Sequence, residues 1–270
     1  MSEQKWNSAS KYQLSVIMPA LNEENNIIGA VNDVVRAFEQ LNISGEIIVI
    51  NDGSTDQTPQ MVESLKQQHP FIKMITHARP KGIGASYWEG VWTADGEVVV
   101  MIPGDGENDT SEIIRYFPLM DHVDIVIPYF YNKEARTQVR QFISKLYKLI
   151  INVSFGILLN YMNGTVMYRR SILRGISLRS SGFFYQTELL IKCIKKGYLY
   201  AEVPYAINTR PSGESKAIRW SSLRKVIEGY FMMLASTYIL NHDTDFIAQD
   251  SVTSTRKQAL LNSSENSSIN

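Results

Sequence analysis

The sequence predicts an α/β fold in which a mostly parallel central sheet carries helices on both faces. Three observations lead there. Apolar strand-like runs alternate four times with helical patterns between Leu14 and Ile102, joined by connections of a few residues. The run Val98-Val-Val-Met-Ile102 is continuously apolar, as a strand buried on both faces is. Three of the runs stop abruptly in turns of Asp, Glu, Asn and Gly, and open α/β sheets bind ligands at the carboxyl edge where such turns lie.

Leu14-Ser-Val-Ile-Met18 reads as a short buried strand stopped by Pro19. Ile27, Ile28, Val31, Val34, Val35, Phe38 and Leu41 follow at the 3.6-residue period of an amphipathic helix. Glu46–Ile50 is the next strand. Thr58 as N-cap and Pro59 at the first helical position then open a second helix. Phe71–Thr76 gives a third strand, Gly82–Ala94 a glycine-punctuated helix, and Glu97–Ile102 a fourth strand. Beyond Asp124–Pro128 the pattern loosens. A long helix is expected over Thr137–Leu159, short strands near Val166 and Ala201, and helices over Tyr185–Lys196 and Ser221 to Leu240. Gly197 stands where a helix C-terminal glycine is expected. The Ser- and Asn-rich stretch 241–270 reads as a disordered tail, and no internal repeat is present. The chain therefore divides into an extension, 1–12, one domain, 13–240, with halves at 13–128 and 129–240, and the tail.

Composition narrows the classes. Lys plus Arg and Asp plus Glu are 27 each, so no global field draws nucleic acid, and any anion site is local. The single cysteine, Cys193, excludes an intrachain disulfide and fits a reducing compartment, most simply as buried filler. No apolar run reaches the roughly 18 residues of a membrane span, and Met1–Tyr12 lacks the apolar core of a signal peptide. A cytoplasmic protein, in bulk or peripheral on the cytosolic face of a membrane, is expected. No Gly-x-Gly-x-x-Gly follows the first strand, which argues against a dinucleotide-binding enzyme.

The turns carry the chemistry. Asn22-Glu23-Glu24 either starts a helix, with Asn22 as cap and the glutamates at its positive end, or accepts hydrogen bonds from ribose hydroxyls. Asn51-Asp52-Gly53-Ser54 is ordinary turn composition, but with the first turn it puts two acidic turns on neighbouring strand ends. Asp105, Glu107 and Asp109 follow the fourth strand; hard carboxylate oxygens of this kind suit Mg²⁺ or Mn²⁺ rather than zinc. Asp109 reads as a turn residue or helix cap. Gly82-Ile-Gly84 lets backbone approach a ligand closely or lets a helix pack tightly on the sheet.

In the second half Arg136, Arg140, Ser144 and Lys148 recur every four residues, so on a helix they form one stripe. It is either a solvated face or, because two arginines at i and i+4 repel unless an anion lies between them, a phosphate site. Leu146–Leu159 is nearly all apolar and suits the core or an interface-lying helix, while Phe231–Leu240 reads as core.

These residues carry a resemblance. Ser15-Val-Ile-Met-Pro19-Ala-Leu-Asn22-Glu23-Glu24, Ile48-Val-Ile-Asn51-Asp52-Gly53-Ser54-Thr55-Asp56, Lys81-Gly82-Ile-Gly84-Ala85 and Pro103-Gly104-Asp105-Gly106-Glu107 match in order. Phe184-Tyr-Gln-Thr-Glu188-Leu-Leu and Arg210-Pro-Ser-Gly213-Glu-Ser215-Lys216 follow. Over residues 13 to 230 the chain resembles the inverting glycosyltransferases of family 2, of the GT-A fold, and most closely the dolichyl-phosphate mannose synthase type.

The resemblance implies a UDP- or GDP-hexose donor, held by Pro19, Asn22, Glu23, Asp52, Gly82 and Asp105. It implies Mg²⁺ or Mn²⁺ on the diphosphate, held by Asp105 with Glu107. Pro103 stands where the first aspartate of an Asp-x-Asp pair is usual, and Glu107 where many relatives carry glutamine. The implied acceptor is a polyprenyl phosphate, met by Arg136, Arg140 and Ser144 on an acceptor-side helical extension and by Arg210 and Lys216 on a closing loop. A glycan hydroxyl is the alternative acceptor, and it requires a base, for which Glu188 is the candidate beside Asp105 as catalytic residue. Glu188 is equally a favourable first-turn helix acid. Asn163 replaces an aspartate found in many relatives before Gly164. A non-catalytic nucleotide-sugar-binding protein is the third reading, motivated by Pro103. The expected membrane contact is peripheral, through an oligomer or a membrane partner.

Overall fold

The computed structural model describes residues 10–131, 138–180, 182–205, 220–240 and 247–267. Seven strands form one sheet in the order β3-β2-β1-β4-β6-β5-β7. They are β1 (Tyr12–Ala20), β2 (Gly45–Asn51), β3 (Ile72–Thr76), β4 (Gly96–Met101), β5 (Ile125–Phe130), β6 (Met167–Arg169) and β7 (Tyr200–Tyr205). Only β6 runs antiparallel to its neighbours β4 and β5. The helices are α1 (Ile27–Leu41), α2 (Thr58–Gln68), α3 (Ile83–Thr93), α4 (Thr110–Ile114), α5 (Gln138–Phe155), α6 (Tyr185–Lys195), α7 (Trp220–Ala235) and α8 (Val252–Ser267).

Strand pleat explains the two-faced core. Alternate residues of one strand point to opposite sides. Leu14, Val16 and Met18 of β1 join Val31, Val34, Phe38 and Val62 from α1 and α2, whereas Ile17 joins Tyr87 and Val91 of α3 and Leu189 of α6. Both sides are thereby covered, as the continuous apolar strands require.

Several elements differ from the sequence reading. Pro19 does not stop β1; it lies inside the strand, opposite Ile50, and its carbonyl accepts the N–H of Gly104 at 3.0 Å. A proline only lacks its own donor, so the strand runs on where that donor is not needed. The N-cap of α2 is Gln57 rather than Thr58. Residues 252–267 are helical, not disordered, because the buried Asp124 carboxylate caps that helix: it accepts the N–H groups of Val252 at 2.8 Å and Thr253 at 3.0 Å. The segment Phe231–Leu240, read as core, exposes Phe231 (61%) and Tyr238 (61%), since α7 and the π-helical turn Ser236–Leu240 pack one side only. No described helix is long and apolar enough to cross a membrane.

Candidate nucleotide and acceptor site

The register brings the carboxyl ends of four strands to one edge: Ala20 lies opposite Asn51 and Asn51 opposite Thr76, while β4 ends with Met101 opposite Ile17, three residues before the end of β1. The turns after them therefore crowd one sheet edge, the place expected of a ligand site in such folds.

The first two turns are locked together. Asn22 adopts φ 56°, donates its N–H to Ser54 Oγ at 3.0 Å, and accepts the N–H of Thr55 on Oδ1 at 2.8 Å. It does not cap α1, whose N-cap is Asn26. Glu23 donates its N–H to Thr58 Oγ1 at 2.8 Å, and Glu24 donates its N–H to Asp56 Oδ2 at 3.1 Å while its carboxylate accepts the N–H of Gln57. Burial opposes ionisation of Asp56, but the Thr58 hydroxyl and the N–H groups of Thr58 and Glu24, all donating to it, hold its carboxyl below the ordinary value.

Asp52 is 6% exposed and reaches the glycine turn directly. Its Oδ1 accepts the N–H of Lys81 at 2.8 Å and its Oδ2 accepts the N–H of Gly82 at 2.9 Å. Gly82 holds φ 100°, a conformation that L side chains rarely adopt, and it opens α3. Buried His77, just past β3, places Nδ1 2.6 Å from Asp52 Oδ1 and Nε2 2.8 Å from Glu89 Oε2. Sequence reasoning missed His77 and Glu89. The only signal was a histidine at the end of a strand in line with the acidic turns.

Asp105 and Glu107 lie half-buried beyond β4, with Asp105 Oδ1 accepting the N–H of Glu107 at 3.1 Å. Gly104 packs closely on α1: a Cβ there would stand 2.8 Å from Ile27 Cδ1. Asp109 caps α4 by accepting the N–H of Glu112, one of the two roles expected of it. Among the described residues no three His, Cys, Asp or Glu side chains gather around a common point. The two carboxylates of this turn are hard oxygen donors, a set whose chemistry fits Mg²⁺ or Mn²⁺ rather than zinc.

On the other half, α5 carries Arg140, Ser144 and Lys148; Ser144 and Lys148 are half-buried. Arg136, Arg210, Lys216 and the Arg140 side chain lie outside the described residues. Tyr147 shares a 2.7 Å hydrogen bond with Thr187 Oγ1, which itself bonds Asn163 Oδ1 at 3.0 Å. Burial pushes the Tyr147 phenol up to about 12, so it stays protonated at neutral pH. Glu188, the next residue after Thr187, is 2% exposed. Its Oε1 accepts from Lys192 Nζ at 2.7 Å and the N–H of Arg179 at 3.0 Å, and its Oε2 accepts the N–H of Ser180 at 2.9 Å. Burial alone would raise its pKa, but the Lys192 charge and these bonds bring it below the ordinary value. Both oxygens are thus engaged in holding the 179–180 segment.

The outer side of α5 is apolar. Phe142 (67%), Ile143, Leu146, Leu149, Ile150 and Val153 (74%) are exposed, while Ile151 and Phe155 are buried. At 100° per residue the six exposed positions span an arc of roughly 120° opposite the buried side. Helix α7 continues this surface with Ile227, Phe231 and Met232, joined to α5 by the Ser154–Tyr230 hydroxyl pair at 2.8 Å.

Comparison with known proteins bears on the family and the fold. The family described as Glycosyl transferase family 2 matches residues 15–177. A dolichol-phosphate mannosyltransferase of Pyrococcus furiosus is 27% identical over 212 residues, covering 76% of this chain and 59% of that protein. A dolichyl-phosphate beta-glucosyltransferase of Trichomonas vaginalis is 26% identical over 229 residues, covering 77% of this chain and 67% of that protein. The chain thus spans about three-fifths of the length of the first relative. Among solved structures, glucosyl-3-phosphoglycerate synthase from Mycobacterium tuberculosis with UDP superposes at TM-score 0.63 and 19% identity, covering 83% of this chain and 81% of that one. The same synthase with Mn²⁺, UDP-glucose and phosphoglyceric acid gives 0.62 at 18% identity, covering 83% and 80%. The sheet is that of the GT-A fold, and the chain belongs to glycosyl transferase family 2.

Proposed function

We propose that the protein is an inverting glycosyltransferase that moves a hexose from a UDP- or GDP-sugar to a polyprenyl phosphate with divalent-metal assistance. The observation that carries the acceptor choice is the two-sided character of α5. The helix bears Arg140, Ser144 and Lys148, yet turns six exposed apolar side chains outward and contains no Asp or Glu. Such a helix suits the interface of an anionic bilayer, where a lipid acceptor keeps its chain in the membrane and its phosphate at the surface. In this reading the contact made by α5 is peripheral, on the cytosolic face. The relatives named for dolichyl-phosphate transfer support the same class.

In this reading Pro19, Asn22, Glu23, Asp52 and the Gly82 turn hold the donor's nucleotide, and Asp105 with Glu107 hold Mg²⁺ or Mn²⁺ beside its diphosphate. When bound, the ion acts as a Lewis acid on the leaving diphosphate. An acceptor phosphate oxygen forms the new bond to the anomeric carbon as the bond to the nucleoside diphosphate breaks, inverting that centre. The acceptor oxygen is already anionic near neutral pH, so no base is required; alignment and charge stabilisation suffice. Arg136, Arg140, Ser144, Arg210 and Lys216 are the proposed acceptor and phosphate contacts. A glycan hydroxyl acceptor would need a base. Glu188, with both oxygens already engaged, is poorly placed for that, which favours the phosphate.

The test is incubation with UDP- and GDP-hexoses and Mn²⁺, with polyprenyl phosphate and soluble glycan offered together as acceptors, followed by organic extraction. A lipid-linked, acid-labile sugar is expected. Transfer only to soluble glycan would support the hydroxyl reading, and tight nucleotide binding without turnover on any acceptor would support a non-catalytic binder.

A further inference from the structure

Buried His77 lies between two carboxylates on different elements. Asp52 from the end of β2 is 2.6 Å from Nδ1, and Glu89 from α3 is 2.8 Å from Nε2. Lys81 closes the circuit, with Nζ 3.2 Å from Glu89 Oε2 and its N–H on Asp52 Oδ1. The charged groups around the ring are therefore Asp52, Glu89 and Lys81. Burial opposes ionisation of Glu89, but the bonds and charges of His77 and Lys81 outweigh it and bring its carboxyl below the ordinary value.

A neutral imidazole has one N–H and can donate to only one of its two neighbours. The other ring nitrogen would then present a lone pair to a carboxylate oxygen at hydrogen-bond distance. With a proton on each nitrogen, both contacts are donors and the ring charge offsets one carboxylate. Either way the ring ties Asp52, whose oxygens accept the N–H groups of Lys81 and Gly82, to Glu89 on α3.

We propose that His77 is a positioning residue of the donor site: bridging Asp52 to Glu89, it holds the Asp52 carboxylate against the Lys81 and Gly82 N–H groups and so fixes the turn that meets the donor. The proposal rests on the reading that Asp52 and the Gly82 turn hold the donor's nucleotide.

The experiment is calorimetric titration of the full chain with UDP and with GDP in Mn²⁺ at neutral pH. Wild type is compared with H77Q and with E89Q. The readout is nucleotide Kd measured well below each variant's melting transition, so that lost stability is separated from lost positioning. H77Q, which cannot span both carboxylates as the ring does, is expected to raise Kd about tenfold. Glu89 is partly exposed, so E89Q is expected to fold. Weakening that contact should raise its Kd about threefold. A folded H77Q that binds as wild type does, or an E89Q Kd equal to wild type if H77Q does not fold, overturns the role of His77. Wild type that binds neither nucleotide overturns the underlying donor reading and the proposal with it.

Discussion

Asp105 accepts the backbone N–H of Glu107 on Oδ1 at 3.1 Å, which folds the two acidic side chains into one tight turn beyond β4. That turn meets the first one, since Gly104 donates its N–H to the Pro19 carbonyl at 3.0 Å. If this corner holds the metal and diphosphate, Asp105→Ala abolishes transfer while leaving the melting temperature within a few degrees, because the side chain is only half-buried. Chelation of divalent ions should have the same effect on wild type, reversed by Mn²⁺. Wild-type turnover by the variant would refute the assignment.

Glu188→Gln should harm stability more than chemistry. It removes the charge facing Lys192 in a buried pair, a loss of about 3 kcal/mol. Below the melting transition, kcat with a phosphate acceptor should fall less than about tenfold, whereas loss of a general base costs about 10²-fold or more. The pH dependence follows from the lowered pKa. The stabilisation by Glu188 is complete above the ordinary glutamate value of 4.5 and is lost as pH falls through its lower folded value. Thermal melts from neutral to acid pH on both proteins check this: the two curves should converge at low pH.

Thr253→Val tests how the C-terminal helix is attached. Thr253 Oγ1 donates to Asp124 and accepts the N–H of Leu199 at 2.8 Å, in a buried position. The valine keeps the shape and loses both bonds, so about 1–3 kcal/mol of stability should go, read by urea or thermal unfolding. An unchanged midpoint would mean that the Thr253 hydroxyl does not help to attach α8.

The apolar side of α5 predicts a vesicle-binding surface. Leu149→Glu with Val153→Glu alters two exposed positions, so folding should be untouched. Flotation with anionic phosphatidylglycerol vesicles should show at least a tenfold loss of binding, since each apolar side chain buried contributes about 1.5–3 kcal/mol. Equal binding by the double variant would exclude this surface.

The fold was legible because strand and helix periods are local, and four repeats of them leave few topologies. Acidic turns at strand ends were legible for the same reason. What stayed hidden depends on tertiary partners. Pro19 continues a strand only because its neighbour does not need its missing N–H. The helix over Val252–Ser267 depends on Asp124, more than a hundred residues away. Glu188 reads from sequence as an open acid, and only Lys192 and the 179–180 backbone reveal it as engaged. His77 belongs to no motif; its meaning comes from Asp52 and Glu89 arriving on either side of it. The outward apolar arc of α5 could be core or interface until packing showed which side was covered.

The most direct measurement is sugar transfer by purified protein from UDP- or GDP-hexose to polyprenyl phosphate in anionic vesicles with Mn²⁺, run beside Asp105→Ala. Formation of an acid-labile lipid-linked sugar by wild type and none by the variant is the predicted result. No lipid-linked product with any donor, or equal product from both proteins, would contradict it.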